Sequence, residues 1–151
     1  MNKVWFITGA GRGFGRVWTE AALKRGDSVI ATAREPEKLT DLVTQFGDNL
    51  LPVMLDVRDR AAVSAAVDTG FRTFGRIDVV VNNAGYGLFC PLENVPENDA
   101  RQITETNILG FALGYSVDTT VYEATEAWAC YSDFEYSRFN GTTWYGHVQR
   151  N

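Results

Sequence analysis

The 151-residue sequence has few of the residues that mark several classes of function. Its two cysteines, Cys90 and Cys130, are far apart and form no C-x-x-C pair, which argues against a disulfide framework and is typical of reduced thiols in a cytoplasmic protein. The single histidine, His147, has no partner pattern, so we expect a surface residue there and no metal site. No apolar run approaches the ~20 residues of a bilayer span, and the first apolar stretch is too short for a signal peptide.

Basic residues are also scarce. Lysine and arginine number 14 against 19 aspartates and glutamates, which gives a formal net charge of −5. Nucleic-acid and anionic-membrane partners require clustered positive charge, so neither kind of partner is expected. Apolar residues make up 45% of the chain and charged residues 22%, which are ordinary values for a globular domain.

Strand-like and helix-like segments alternate over the first two-thirds of the chain. Short apolar or β-branched runs predict strands at residues 3–8, 28–32, 50–55 and 77–81, and Pro52 weakens the third of them. Apolar residues at helical spacing predict helices from Phe14 to near Gly26, over residues 35–46, after a cap at Asp59, and over residues 96–113. This alternation predicts an α/β fold with a parallel sheet covered on both faces.

Glycines crowd the turn between the first strand and the first helix, which reads T-G-A-G-R-G-F-G from Thr8 to Gly15. Glycine lets the backbone turn tightly and approach a pyrophosphate, whose charge then lies among the free N–H groups of a helix N-terminus. The strict G-x-G-x-x-G spacing is absent because Phe14 occupies the last position, so a purely structural turn is the alternative. The position of the turn, after a first strand and before a helix, favours phosphate binding.

Four motifs, in order and at suitable spacing, resemble those of the short-chain dehydrogenase/reductase family. The glycine turn is similar to the family's T-G-x-x-x-G-x-G cofactor loop, and N-N-A-G at residues 82–85 matches the motif after its fourth strand. D-V at residues 56–57 matches the acidic position after the third strand, and Asn107 matches the asparagine of helix four. The resemblance covers residues 1–113. It implies a Rossmann-like, doubly wound parallel sheet, incomplete at about four β/α units, followed by an irregular tail at residues 114–151.

The resemblance also implies roles in binding a nicotinamide dinucleotide. The loop glycines would frame the diphosphate, Asp56 would accept a hydrogen bond from the adenine amino group, and residues 83–85 would line the adenosine ribose side and brace the sheet. For Asp56 alone, helix capping is the alternative. The implied cofactor-binding set is Gly9, Arg12, Gly13, Phe14, Gly15, Arg34, Asp56, Val57, Asn83, Ala84 and Gly85. The family reaction is hydride transfer between the nicotinamide and a small carbonyl or alcohol substrate.

Charge after the second strand predicts which dinucleotide is preferred. An NAD-selective site places a carboxylate there for the ribose 2′-hydroxyl, whereas NADP sites use arginine for the 2′-phosphate. Ala33 stands where the acid would be, Arg34 follows it, and Arg12 lies in the glycine turn. Two guanidinium groups suit a group of roughly −2 charge. The sequence therefore predicts NADP(H) over NAD(H), with two solvated surface arginines as the alternative.

Most of the family's catalytic residues are missing. In the family, a tyrosine acts as acid–base with its pKa lowered by a lysine four residues later, beside a serine from the fifth strand and the helix-four asparagine. No lysine follows Lys38, and residues 114–151 show no fifth parallel strand ending in Ser-Ser, so only Asn107 remains. Catalysis by this chain is therefore doubtful. A non-catalytic dinucleotide- or partner-binding remnant and a non-functional truncated product are the alternatives. Apolar residues at 86–89 could line a substrate mouth, with loop packing as the alternative.

Residues 114–151 differ from the rest of the chain. They hold nine of the 19 aromatic residues, at a spacing that supports neither a helix nor a strand. When back-translated with free codon choice and read one nucleotide later, they must give glycine at the codons of Trp128 and Trp144. They can also encode V-T-Q-I-S-S-I from Cys130 and the start of Tyr-x-x-x-Lys near the end. We hypothesise a shifted-frame reading of the catalytic half from about residue 113, with a genuine divergent tail as the alternative. The coding DNA distinguishes the two.

Overall fold

A computed structural model describes residues 2–110 and 130–132 of the chain, which form a parallel sheet with helices on both faces. The strands are β1 (Val4–Ile7), β2 (Ser28–Ala33), β3 (Leu50–Met54), β4 (Val79–Asn82) and β5 (Cys130–Ser132). They pair in the order β3-β2-β1-β4-β5, and every pairing is parallel. The predicted α/β fold with a doubly wound parallel sheet is confirmed.

Four helices connect the strands: α1 (Gly13–Lys24), α2 (Thr40–Phe46), α3 (Arg60–Phe74) and α4 (Glu97–Thr104). Short 3-10 turns lie at Pro36–Leu39, Gly47–Asn49 and Leu92–Asn94, and a π-helical turn at Glu105–Leu109 continues α4. The helix predicted over residues 35–46 is therefore divided into a 3-10 turn and α2. Proline, which fits only the first turn of a helix, begins that 3-10 turn.

Two apolar layers, one on each face of the sheet, form the core. On one face the buried side of α3 packs against Ile30 and Val80. On the other face α1 and α2 cover Val29, Ala31 and Val81. Neighbouring residues of β2 thus serve opposite faces, which explains why this strand is apolar almost throughout.

Helix α1 forms as predicted, but its buried side is not its most apolar one. Phe14 and Val17 are 66% and 60% exposed, and the Phe14 ring stacks on Trp18 with centroids 5.8 Å apart. The residues that α1 buries are Gly15, Thr19, Ala22 and Leu23. The Thr19 hydroxyl donates to the Gly15 carbonyl oxygen at 2.8 Å, so a polar side chain is tolerated in the core.

Helix α3 begins where the sequence predicts. Asp59 Oδ1 accepts hydrogen bonds from the backbone N–H groups of Ala61 and Ala62 at 2.9 and 3.1 Å, the geometry of a capping carboxylate. Gly70 then brings the helix close to the sheet, because a Cβ atom there would lie 2.5 Å from Ile30 Cδ1. The third predicted helix is confirmed, with its contact to the sheet set by a glycine.

A short fifth strand, which the sequence pattern does not indicate, extends the sheet, and it ends at a single serine and not in Ser-Ser. The backbone of Cys130–Ser132 pairs in parallel with β4, with Val80 opposite Cys130 and Asn82 opposite Ser132. Strand pairing uses main-chain N–H and C=O groups, so three residues can extend a sheet without an alternating side-chain pattern. The edge of β4 is therefore paired at Val80–Asn82.

At the amino end of the sheet, carboxylates bind the backbone of β1 and its entry. Asp27, 5% exposed, accepts hydrogen bonds from the Lys3 N–H at 2.9 Å, from Trp5 Nε1 at 2.8 Å and from the Arg25 guanidinium. Asp78 Oδ2 accepts a hydrogen bond from the Val4 N–H, the first of β1, at 2.7 Å. Burial raises the pKa of Asp27, but the hydrogen bonds together outweigh it and hold this pKa below its usual value. We term these residues the amino edge; they are Lys3, Val4, Trp5, Arg25, Asp27 and Asp78.

Candidate functional site

A cleft of about 330 Å³ opens at the opposite end of the sheet, where β1 to β4 end; we term it the carboxyl-edge cleft. Open α/β sheets bind ligands at this edge. Ten of the eleven residues that the sequence analysis assigns to a cofactor line it: Gly9, Arg12, Gly13, Phe14, Arg34, Asp56, Val57, Asn83, Ala84 and Gly85. Gly15 and Asn107 are not among the described residues that line it. The lining residues to which the sequence analysis gave no cofactor role are Gly11, Ala33, Glu35, Lys38, Leu55, Arg58, Tyr86 and Thr106.

The loop between β1 and α1 turns its backbone toward the cleft. Gly9 and Gly13 have φ angles of 68° and 58°, a left-handed conformation that glycine adopts without strain. A Cβ atom at Gly13 would meet no described atom within 4 Å, so its Cα faces open space. In the described structure, Arg12 makes no side-chain cap hydrogen bond to α1, and the first turn of α1 holds no acidic residue. The first N–H groups of α1 are therefore open to an anion in the cleft.

Gly15 lies behind this loop, where its lack of a side chain determines the packing. A Cβ atom there would stand 2.5 Å from Asn83 Nδ2 and 2.6 Å from the Gly9 carbonyl oxygen, closer than packed atoms approach. Helix α1 could not come this near to the loop after β4 with any larger residue. Gly15 therefore shapes the cleft from behind, although the family resemblance implies that it frames the diphosphate.

Thr8 joins the glycine loop to the N-N-A-G segment. Its buried Oγ1 accepts hydrogen bonds from the backbone N–H groups of Asn83 and Ala84, both at 2.9 Å, and donates to the Val81 carbonyl oxygen at 3.3 Å. Asn83 Nδ2 donates in return to the Thr8 carbonyl oxygen at 2.9 Å. The sequence analysis includes Thr8 in the glycine motif but predicts no role for its side chain. A hydroxyl residue between a buried strand and a glycine turn was the signal for its role.

Three cations and one carboxylate surround the end of the cleft beside β2. Arg12, Arg34, Glu35 and Lys38 all line this end. Lys38 Nζ donates to Glu35 Oε1 at 2.8 Å, and this hydrogen bond is the main reason that the pKa of Glu35 lies below its usual value. Arg34 and Arg12 lower the same pKa through their charge. Opposite charges three residues apart in the R-E-x-x-K segment are the sequence signal for this pair.

Asp56, to which the resemblance gives the adenine amino group, is bound by Arg58. Arg58 Nε lies 3.0 Å from Asp56 Oδ1 and Nη2 lies 2.5 Å from Oδ2, and the Arg58 backbone N–H also donates to Oδ1 at 3.0 Å. The Arg58 side chain outweighs partial burial and holds the pKa of Asp56 below its usual value. Arg58 Nη1 also lies 4.0 Å from Glu105 Oε2. A ligand in the cleft would therefore meet an ionised, oriented carboxylate.

Asn107 lies in the π-helical turn that follows α4. Its Nδ2 donates to the Tyr86 carbonyl oxygen at 2.8 Å, and its Oδ1 accepts from the Tyr86 N–H at 3.1 Å. The regular helix predicted over residues 96–113 is wrong at Glu105–Leu109, where the wider turn directs this side chain to the loop after β4. Asn107 therefore fixes the backbone at one wall of the cleft. Tyr86 lines that wall, and residues 88–89 are not part of the described lining.

Residues 2–110 and 130–132 contain neither a cluster of candidate metal ligands nor a helix able to span a membrane. That part of the chain holds no group of three or more histidine, cysteine or acidic side chains placed to bind a metal ion. None of its helices combines the length and the apolar character that crossing a bilayer requires. His147, expected at the surface, lies outside these residues, and Cys90 is an exposed free thiol.

Comparison with known proteins agrees with the family resemblance of the motifs and with the fold. The profile of the short chain dehydrogenase family matches residues 3–118. The chain belongs to this family. A crystal structure of a short-chain dehydrogenase from Streptomyces avermitilis is 34% identical, with a TM-score of 0.81 over 87% of this chain and 48% of that chain. The resemblance and the Rossmann-like fold are confirmed.

Curated relatives are longer than this chain. The oxidoreductase BOA17 of Botryotinia fuckeliana (strain B05.10) is 52% identical over 111 residues, 73% of this chain and 40% of that protein. The NADP-dependent 3-hydroxy acid dehydrogenase YdfG of Shigella flexneri is 38% identical over 105 residues, 69% of this chain and 42% of that protein. This chain thus spans about two-fifths of the length of these relatives. The family consists of oxidoreductases that bind nicotinamide cofactors, and the described residues carry its nucleotide-binding fold.

Proposed function

We propose that the carboxyl-edge cleft binds NADP(H) in preference to NAD(H). One observation carries the proposal: the open glycine loop, Arg12, Arg34 and an ionised Asp56 meet in a single cleft. The loop N–H groups and the positive end of α1 would hold the diphosphate, and the two guanidinium groups would hold the 2′-phosphate. Asp56 would accept a hydrogen bond from the adenine amino group, and residues 83–85 would contact the adenosine ribose side.

The charge of the cleft supports this proposal. The whole chain has a net charge of −5, yet the described lining of the cleft has more cations than carboxylates. Its cations are Arg12, Arg34, Lys38 and Arg58, and its carboxylates are Glu35 and Asp56. A concave site with excess positive charge concentrates a polyanion such as a dinucleotide phosphate. The NADP-dependent relative from Shigella flexneri is consistent with the same choice.

The proposed activity of this chain is cofactor binding without efficient turnover. A bound nicotinamide dinucleotide supplies or accepts the hydride in the family's reaction on carbonyl and alcohol carbons. Asn107, the residue assigned to catalysis, uses both ends of its amide to hold the Tyr86 backbone. No lysine follows Lys38, so the sequence offers no cation to lower the pKa of a tyrosine at the usual spacing. We assign the binding to residues 1–113 and leave residues 114–151 outside it.

Calorimetric titration of the full chain with NADPH and with NADH tests the proposal. We expect NADPH to bind about tenfold more tightly, the contribution of one or two charge-assisted hydrogen bonds to phosphate. Arg34→Glu should remove most of this preference, because a carboxylate would repel the 2′-phosphate. Arg72→Glu changes an exposed arginine on α3, away from the cleft, and should preserve it.

The same titrations separate the alternatives. Binding with an unchanged preference in Arg34→Glu would exclude the phosphate role of Arg34. If neither dinucleotide binds and heating gives no cooperative transition, the chain is better described as a non-functional product.

A further inference from the structure

The position of Lys38 at the rim of the carboxyl-edge cleft is fixed from three sides. Its neighbour Leu39 is fully buried and anchors the turn Pro36–Leu39 in the core. Arg16 Nη1 donates to the Lys38 carbonyl oxygen at 2.6 Å and ties this turn to α1. A Cβ atom at Gly11 would lie 3.8 Å from both Cβ and Cδ of Lys38, so the aliphatic part of the lysine runs along the glycine loop.

The ammonium group of Lys38 has a partner that a ligand can replace. Its hydrogen bond to Glu35 joins two side chains that are 50% and 64% exposed. An ammonium group has three N–H donors, so this pair leaves others free for a second acceptor. Exposed ion pairs contribute little to stability because water screens them, so exchange of Glu35 for a phosphate oxygen costs little.

Glu35 lines the same end of the cleft with the opposite charge. It follows Arg34 in sequence, and Lys38, Arg34 and Arg12 are the cations that act on it. A carboxylate near a ribose accepts hydrogen bonds from the 2′-hydroxyl of NAD(H) and repels the 2′-phosphate of NADP(H). Lys38 neutralises the charge of Glu35 in the pair. Without Lys38, the Glu35 carboxylate would favour NAD(H) over NADP(H).

We propose that the Glu35–Lys38 ion pair sets the dinucleotide preference of this cleft. Lys38 supplies a third cation for the 2′-phosphate beside Arg12 and Arg34. By holding Glu35, it also keeps that carboxylate from accepting the 2′-hydroxyl of NAD(H). This inference rests on the proposed NADP(H) site, to which it adds a specificity-determining residue.

Removal of the charge at position 38 should move the two affinities in opposite directions. In Lys38→Met the aliphatic stem can still pack along Gly11, but the phosphate loses a cation and Glu35 is released. We expect the affinity for NADPH to fall about tenfold, the size of one charge-assisted hydrogen bond to phosphate. The affinity for NADH should rise about twofold, because a free carboxylate becomes available to the 2′-hydroxyl. A purely structural role would lower both affinities together.

Glu35→Gln provides the complementary variant. It removes the negative charge and frees Lys38, while a side chain of the same length remains at the rim. We expect the affinity for NADPH to rise about threefold, because Lys38 no longer divides its charge and N–H donors between Glu35 and the phosphate. The affinity for NADH should stay unchanged, since Lys38 already holds Glu35 in the wild-type chain.

Lys24→Met is the matched control for the titrations of the full chain. Lys24 pairs with Glu20 at 2.9 Å in a similarly exposed ion pair, on α1 and outside the cleft lining. This variant makes the same change of charge and should alter neither affinity. The inference is overturned if Lys38→Met weakens NADPH no more than this control, or if it moves both affinities in the same direction. In either case the NADP(H) site itself would stand, whereas failure of the wild-type chain to bind either dinucleotide would remove the site and the inference with it.

Discussion

The two ends of the sheet use carboxylates in opposite ways. At the amino edge, Asp27 is 5% exposed and binds a backbone N–H together with two side chains. In the carboxyl-edge cleft, the Asp56–Arg58 and Glu35–Lys38 pairs join side chains that are each about one-third exposed or more. A buried carboxylate that binds the backbone stabilises the fold, because loss of its hydrogen bonds is costly. In an exposed ion pair, either side chain can exchange its partner for a ligand at little cost. We therefore expect charge at the amino edge to stabilise the fold, and we propose that charge in the cleft contributes to ligand binding.

The largest effect should come from Asp27→Asn. The amide lacks the negative charge, and its NH₂ group would face donors such as the Lys3 N–H and Trp5 Nε1. We expect a loss of about 3 kcal/mol in the free energy of unfolding, measured by urea denaturation. Glu20→Gln, in an exposed pair on α1, should change it by less than about 0.5 kcal/mol. Similar small losses in the two variants would refute a stabilising role for the amino edge.

Thr8→Val should have the next largest effect, because the cleft also has an uncharged frame. The isosteric change leaves the Ala84 N–H without its acceptor in a part-buried site, and the Asn83 N–H keeps only the Val81 carbonyl oxygen at 3.1 Å. We expect a loss of about 2 kcal/mol in the free energy of unfolding by the same measurement. Thr44→Val, on the exposed side of α2, is the control and should be nearly neutral. An equal effect at the two threonines would show that the hydroxyl of Thr8 does not hold the loop.

The pH dependence of stability tests the amino edge without a change in its packing. The pKa of Asp27 is lower in the folded chain than its usual value of 3.8. As the pH falls, the unfolded chain takes up the proton first. The stability that is present above about pH 4 is therefore lost as the pH falls through the folded pKa.

Other carboxylates with lowered pKa values contribute as well, so the informative quantity is the difference between the wild-type chain and Asp27→Asn. We expect this difference in the free energy of unfolding to shrink as the pH falls from about 5 to about 3, because the folded pKa of Asp27 lies below its usual value. A constant difference over that range would mean that ionisation of Asp27 does not stabilise the fold.

Arg58→Met should have the smallest effect on stability and a measurable one on binding. The pair with Asp56 is about one-third exposed, so its loss should change the free energy of unfolding by less than about 0.5 kcal/mol. The affinity for NADPH should fall about threefold, because Asp56 is no longer oriented and the cleft loses a cation. Arg72→Met is the control for both measurements. A loss of stability as large as that of Asp27→Asn would remove the distinction between the two edges.

The sequence was sufficient for the frame of the cleft because its elements are encoded locally. Alternating strands and helices predict the parallel sheet, and the glycines predict the tight turn in which Gly9 and Gly13 have left-handed backbone. Asp59 caps α3 through neighbouring N–H groups, an interaction that spans three residues. Features of this kind can be predicted from a single sequence because they depend only on residues that are close together in the chain.

Features that depend on distant contacts were not predictable in the same way. Lys38 reaches the cleft because Arg16, 22 residues earlier, holds its carbonyl group. Asn107 binds Tyr86, 21 residues earlier, from a π-helical turn, and apolar periodicity does not distinguish this turn from an α-helix. The strand at Cys130–Ser132 pairs through its backbone, which has no sequence pattern of its own.

Backbone amide chemical shifts, measured by NMR as NADPH is added to the full chain, test most directly whether the carboxyl-edge cleft is the binding site. We expect chemical-shift changes at the glycine loop, at residues 34–38 and at residues 56–58, with smaller changes when NADH replaces NADPH. The amide chemical shifts of Lys3, Val4 and Asp27 at the amino edge should not change. Unchanged chemical shifts in the cleft, or changes at the amino edge as large as those in the cleft, would contradict binding in the carboxyl-edge cleft.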